Sequence, residues 1–200
     1  HFQFKQSTTR QVCDVITNPP SAGALIATDC KRGLIYVAHE NKITVLPCSE
    51  NSQPGQKLVH TLSAPISRIS LSCDYTYLAV TYNSSKAHIY NAASTCRNSL
   101  ELLHEIQFSR SPQPVYAYDL KWNPAIPGSF CTIASDSSIG SFSLKAEQKS
   151  TVTILALERI QGLEPTCIAW SPKGKQIVVG CRNGSIVQLK PELKVARSLP

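Results

Sequence analysis

Eight cysteines and five histidines are the side chains in this 200-residue sequence best suited to hold a metal ion, form disulfides or supply a nucleophile. Their spacing argues against each use. Cys13, Cys30, Cys48, Cys73, Cys96, Cys131, Cys167 and Cys181 include no C-x-x-C pair. Zinc sites take ligands in close pairs, because one turn must present two thiolates to one ion. Most of these cysteines lie in or beside apolar, strand-like runs, which reads as reduced structural thiols of a cytosolic or nuclear protein. His1, His39, His60, His88 and His104 show no ligand-like spacing either. The motifs G-x-S-x-G, H-E-x-x-H, G-x-x-x-x-G-K-[ST] and G-x-G-x-x-G are all absent, so no nucleophile elbow, zincin helix or phosphate loop is encoded. No metal, no cofactor and no catalytic residue is expected.

Other residues carry weaker signals. Ser171-Pro172-Lys173-Gly174-Lys175 matches a proline-directed phosphorylation site and also reads as a β-turn between two strands. Asn83-Ser84-Ser85 and Asn183-Gly184-Ser185 match the N-glycosylation pattern, but both fall where a hairpin turn belongs. Trp122 and Trp170 would serve as stacking platforms for bases, or as bulk packed between structural units. Lys173, Lys175, Arg182 and Lys190 would form a basic patch or a solvated edge.

The elements that must position these residues repeat. Ile168–Trp170, the turn Ser171-Pro172-Lys173-Gly174, the run Gln176–Gly180, the turn Arg182-Asn183-Gly184 and Ser185–Leu189 spell strand, turn, strand, turn, strand. The apolar residues alternate, and Pro-Lys-Gly and Asn-Gly supply the turns. The same grammar runs through Leu120–Pro124, Cys131–Ala134 and Gly140–Leu144, through Ile69–Asp74, Tyr77–Val80 and Ala87–Tyr90, and through Ile26–Asp29, Leu34–Ala38 and Asn41–Leu46. Thr28, Leu71, Trp122 and Trp170 occupy equivalent positions, at steps of 43, 51 and 48 residues. Steps of this size suit the four-stranded blade of a β-propeller. Lys57–Leu62, Leu100–Phe108 and Thr151–Arg159 are extended runs placed to be outer strands, although Glu101–Ile106 reads equally as helix.

The predicted fold is therefore all-β, with strands near 24–28, 34–38, 42–46, 66–72, 77–82, 86–90, 116–122, 131–134, 139–144, 164–170, 175–180 and 185–189. Loops are expected at 47–56, 91–99 and 109–114. Leu71, Trp122 and Trp170 are the expected blade-packing residues, and Trp170→Ala is expected to cost about 3–5 kcal/mol in a complete propeller. The partner-contacting residues are not assigned.

Apolar residues at 42% and charged residues at 16% describe a globular chain, rather than a disordered one. No apolar run reaches the roughly 18 residues of a membrane span, so no membrane association is expected. The formal net charge of +7 is spread along the chain. It permits an acidic protein partner or direct nucleic-acid binding, and fits a solvated basic surface equally well. The sequence begins at His1 and contains no Met, which gives the expectation of a fragment. Four blades are too few to close a ring of this repeat length. The expected domain is thus a partial propeller over residues 1–200, with one blade face left open.

Trp170–Pro191, WSPKGKQIVVGCRNGSIVQLKP, resembles a blade of the N-terminal propeller of the CAN-type FG-repeat nucleoporins, which sit on the cytoplasmic filaments of the nuclear pore. Lys121-Trp122-Asn123-Pro124 with Ile126-Pro127 is similar to the preceding blade, Leu71-Ser72-Cys73-Asp74 to the family's L-S-C-D, and Phe2-Gln3-Phe4-Lys5 to its opening phrase. The insertions at 49–56 and 91–99 depart from the pattern. The resemblance implies a seven-bladed WD-repeat-like propeller, of which about four blades lie here. It also implies later blades, a coiled coil and FG repeats outside this sequence. It further implies a non-enzymatic docking scaffold on the cytoplasmic side of the pore that contacts other nucleoporins and recruits a DEAD-box RNA helicase for mRNA export. The family's helicase contacts lie mainly on later blades, so no contact residue is carried over. Two other readings compete: a propeller subunit of a trafficking coat or ribosome-biogenesis complex, and a direct RNA-binding propeller.

Overall fold

The computed structural model describes residues 24–48, 57–145 and 151–199. Among the described residues, sixteen strands form four antiparallel sheets of four. The first blade is β1 (Ile26–Asp29), β2 (Leu34–His39), β3 (Lys42–Pro47) and β4 (Leu58–Thr61). The second is β5 (Ile66–Leu71), β6 (Tyr77–Tyr82), β7 (Lys86–Asn91) and β8 (Leu102–Gln107). The third is β9 (Ala117–Trp122), β10 (Ser129–Ala134), β11 (Ser138–Lys145) and β12 (Thr151–Arg159). The fourth is β13 (Pro165–Trp170), β14 (Ile177–Cys181), β15 (Ile186–Leu189) and β16 (Val195–Leu199). Within each blade the strands pair in chain order, and the first strands β1, β5, β9 and β13 stand next to one another. This is the predicted all-β propeller architecture.

The hydrophobic cores lie between blades. One joins Tyr36, Ile43 and Val45 of the first blade to Ile69, Leu78 and Val80 of the second. The next joins Ile89, Ile106 and Phe108 to Trp122, Phe130 and Phe142. The third joins Cys131, Ile133 and Ile139 to Ile168, Ile177 and Val179. A strand in the middle of such a stack is covered on both faces, so β6 and β10 are buried at every residue. In β14 only alternate residues are buried, because one face of the fourth blade is uncovered and leaves Ile186 exposed.

The expected outer strand within Leu100–Phe108 is present: the stretch that read equally as helix is strand over Leu102–Gln107, which pairs with β7 and completes the second blade. Two differences from the sequence reading have local causes. Inside the expected 91–99 loop, Ala92–Cys96 forms a short 3₁₀ helix whose first turn is capped by Asn91, its side chain accepting from the Ala93 N–H. An outer strand not expected from the sequence, β16, pairs with β15. The opening phrase Phe2–Lys5, Cys13, His1 and the 49–56 insertion lie outside the described residues.

Candidate functional site

The side chains with polar chemistry fall into two groups, those that tie blades together and those that line clefts. Trp122 ends β9, is buried, stacks on Tyr77 at 5.9 Å and tilts against Phe130 at 4.9 Å. Its indole Nε1 donates to the Ser70 carbonyl at 3.1 Å. Trp170, at the matching place in β13, is half-buried and donates to the Lys121 carbonyl at 2.9 Å. Leu71, the equivalent in the second blade, is half-buried and lines an open cleft of about 320 Å³ with Thr28, Ser70, Arg68 and Lys121. Leucine has neither the bulk nor the N–H to make the link that tryptophan makes in the next two blades. Trp122 has no face open to a stacked base, and Trp170 has its N–H committed to the neighbouring blade.

Further ties follow the same step. Arg68 pairs with Asp119 at 3.0 Å and donates to the Tyr118 carbonyl at 3.0 Å. Asn123 is buried; its Nδ2 donates to the Gly174 carbonyl at 2.9 Å, while its Oδ1 accepts from the Ala125 and Ile126 N–H groups. Between the first two blades, Tyr36 shares a hydrogen bond with Thr95 at 3.0 Å, and His60 Nε2 meets the Thr95 carbonyl at 2.8 Å. Burial pushes the Tyr36 phenol up to about 12, so it stays protonated and able to donate.

Two clefts open on one rim, where the connections between blades run beside the turns between the second and third strands. The first, about 330 Å³, is lined by Ala64, Pro65, Tyr82, Lys86, His88 and Glu105. There His88 Nδ1 meets the Tyr82 hydroxyl at 2.9 Å, His88 Nε2 faces Glu105 at 3.3 Å, and Lys86 donates to Glu105 at 2.6 Å. Burial pushes the Tyr82 phenol far above its usual range, whereas hydrogen bonds from Lys86 and His88 lower the Glu105 carboxyl. The sequence reading missed this cluster. Its signal was Tyr and His at alternate positions of one strand, His88 and Tyr90, facing Tyr82 across a hairpin.

The second cleft, about 440 Å³, is centred on Asp136 and lined by Arg110, Ser111, Pro112, Ser138 and Arg159 among others. Ser109 donates to Asp136 at 2.6 Å, Arg159 at 2.6 Å and the Ser138 N–H at 3.0 Å. Burial alone would push this carboxyl up, but these hydrogen bonds outweigh it and hold the acid down at about 2.

The expected basic patch is divided. Lys173 and Lys175 lie in the β13–β14 turn and Lys190 follows β15, so these three share one rim. Arg182 lies in the β14–β15 turn at the opposite end of the strands, where it pairs with Glu164 at 3.2 Å. Antiparallel strands return the chain to alternate rims, and a count along the sequence does not register this. The two glycosylation-like triplets occupy hairpin turns, with Asn183 accepting from the Ser185 N–H. Among the described cysteines, Cys30, Cys48, Cys73, Cys96 and Cys167 are exposed free thiols and Cys131 and Cys181 are buried ones. Among the described residues no three His, Cys, Asp or Glu side chains converge as a metal site, and no helix is long and apolar enough to cross a membrane.

No protein-family model matches the chain. It is homologous to nucleoporins. Nuclear pore complex protein Nup214 of Drosophila melanogaster is 29% identical over 99% of the chain, and Nup214 of Homo sapiens is 25% identical over the whole chain. Nuclear pore complex protein 14 of Caenorhabditis elegans is 42% identical over 40% of the chain. The chain spans 12%, 10% and 6% of the lengths of these three relatives. Among solved structures, Saccharomyces cerevisiae Sqt1 superposes with a TM-score of 0.71 at 15% identity, covering 89% of this chain and 46% of that one. The WD40 domain of Toxoplasma gondii coronin does so at 0.69 and 16% identity, covering 92% and 46%. A periplasmic gluconolactonase of Pseudomonas aeruginosa does so at 0.67 and 13%, covering 88% and 52%. At these identities the structural likeness is one of fold.

Proposed function

We propose that this homologue of the Nup214 nucleoporins is a propeller segment acting as a non-enzymatic docking scaffold of the nuclear pore. The observation that carries the reading is homology to Nup214 over the whole chain, combined with polar side chains spent on joining blades. Trp122, Trp170, Arg68 and Asn123 all bond to a neighbouring blade. Leu71, Trp122 and Trp170 are proposed as the packing positions of successive blades. The uncovered face of the fourth blade, with Ile186 exposed, fits further blades of one ring. A catalytic reading would need a reacting group in a cleft. The Tyr82–His88–Glu105 chain is hydrogen-bonded within itself and to Lys86. Likeness to a gluconolactonase at 13% identity carries no chemistry.

The finer proposal places the scaffold on the cytoplasmic side of the pore, where the complete propeller binds the nucleotide-bound form of a DEAD-box mRNA-export helicase and other nucleoporins. The net charge of +7 favours an acidic partner face and makes binding salt-dependent. The test combines immunogold labelling of the full-length protein with titration against the helicase at two salt concentrations. Label at the cytoplasmic rim and affinity that falls with salt are expected. Label away from the pore rejects the scaffold reading, and absence of helicase binding rejects the partner.

One observation favours a second reading, direct RNA binding: Lys173, Lys175 and Lys190 share a rim and are exposed. RNA held by phosphate contacts would show an affinity falling steeply with log salt. Triple substitution of these lysines would then abolish RNA retention while leaving helicase binding intact.

A further inference from the structure

The chain contains two Ser-Pro dipeptides, Ser111-Pro112 and Ser171-Pro172, and the fold treats them differently. Ser171 heads the tight turn between β13 and β14. Its Oγ accepts from the Lys175 and Gln176 N–H groups at 3.2 and 3.1 Å, its own N–H donates to the Gln176 carbonyl at 2.9 Å, and its carbonyl accepts from Gly174 at 2.8 Å. A kinase needs its acceptor serine in an extended segment with a free hydroxyl, and every one of those bonds would have to break first.

Ser111 lies between β8 and β9, outside any strand. Its hydroxyl accepts one bond, from the exposed Gln113 N–H at 3.2 Å, and its own N–H is held by Ser109 Oγ at 3.0 Å. It is half-exposed, and Arg110, Pro112, Gln113 and Pro114 around it are exposed. Arg110 and Arg159 line the same cleft as Ser111. The Arg159 side chain is 57% exposed and reaches Asp136 from the surface. The other charges lining the cleft are Asp136 and Glu158.

We propose that Ser111 is a phosphorylation site for a proline-directed protein kinase, and that the guanidinium groups of Arg110 and Arg159 hold the phosphate in the cleft beside it. In the reaction Ser111 Oγ attacks the γ-phosphorus of a nucleoside triphosphate. The Oγ–P bond forms, the bond from that phosphorus to the β-phosphate oxygen breaks, the nucleoside diphosphate leaves, and the hydroxyl proton passes to the base of the kinase. The product carries a charge of roughly −1.5 to −2 and three acceptor oxygens, which suit paired guanidiniums. It also competes with Asp136 for Arg159. Phosphorylation thus exchanges a tie inside the third blade for one between β12 and the connection from the second blade, and changes the charge of the rim that carries both clefts.

The test uses the folded full-length protein, a proline-directed kinase and γ-labelled ATP, with sites read by mass spectrometry. Label on Ser111 and none on Ser171 is expected in the folded protein. Both serines should be labelled after denaturation, and S111A should remove the native label from this segment. Equal labelling of the two serines in the folded protein, label on Ser171 alone, or an unlabelled Ser111 would overturn the site. The clamp is read separately by phosphorus NMR titration of the phosphoprotein. The second pKa of a phosphoserine is about 6, and two guanidiniums should lower it by about half a unit or more relative to the R110Q/R159Q variant. Identical titration in the two proteins would overturn the clamp while leaving the site.

Discussion

The indole of Trp170 donates its N–H to the backbone carbonyl of Lys121, 2.9 Å away in the neighbouring blade. One repeat earlier, Trp122 does the same to Ser70 at 3.1 Å. In each case the acceptor immediately precedes the position equivalent to the tryptophan, so a single interaction is translated by one blade. Trp122 is covered on both sides, by Tyr77 and Phe130, whereas Trp170 is half-buried. Trp122→Ala should therefore cost about 3–5 kcal/mol and Trp170→Ala about 2–3 kcal/mol. Trp122→Phe, which keeps most of the ring and loses the N–H, should cost about 0.5–1.5 kcal/mol. Urea denaturation of the full-length variants gives the order, and a Trp170 variant that proves the most damaging would contradict it.

Gly174 has a φ of +65°, and a Cβ there would run into the side-chain amide of Asn123. Asn123 cannot give way, because it is buried and holds three backbone groups. Gly174→Ala should combine left-handed strain with loss of the blade tie and cost about 2–4 kcal/mol. Gly184, at φ +86° with open space around it, should cost only the conformational part, about 1 kcal/mol. Thermal melts of the two variants side by side would test the difference.

Asp136 sits at about 2 in the folded chain, against about 3.9 unfolded. A lowered carboxyl contributes stability that is fully present above the unfolded value and is lost as pH falls through the folded one. With its side chain 10% exposed and Arg159 largely in solvent, the contribution should be about 1–2 kcal/mol after allowance for screening. Asp136→Asn should lower stability by that amount at pH 7. The gap between the two proteins should narrow between about pH 4 and pH 2. A gap that is constant across this range would point to packing rather than ionisation.

Cys131 is fully buried, and burial pushes its thiol far above the usual range. Cys30, Cys48, Cys96 and Cys167 are exposed. Alkylation of the folded protein without reductant should modify the exposed set at least about a hundredfold faster than Cys131. Stoichiometric zinc, or cysteines protected as disulfides, would overturn the structural reading of the thiols.

What the sequence by itself determined is the repeating unit. Apolar alternation and the Pro-Lys-Gly and Asn-Gly turns act over a few residues, so they are legible wherever they occur, and the steps between Thr28, Leu71, Trp122 and Trp170 suggested a blade-sized repeat. The strand Val195–Leu199 escaped notice because Val-Ala-Arg-Ser-Leu carries little alternation of its own and owes its conformation to pairing with β15. Only the tertiary structure decided the ties and the clefts. Trp122 to Ser70, Trp170 to Lys121, Asn123 to Gly174 and Arg68 to Tyr118 span 52, 49, 51 and 50 residues. Partners a whole blade apart meet only when two sheets stack, and no local spacing records which carbonyl a side chain will reach. The rim on which a turn emerges is likewise a property of the folded sheet, which is why Arg182 parted from Lys173 and Lys175 and why Arg110, Ser111, Asp136 and Arg159 came together.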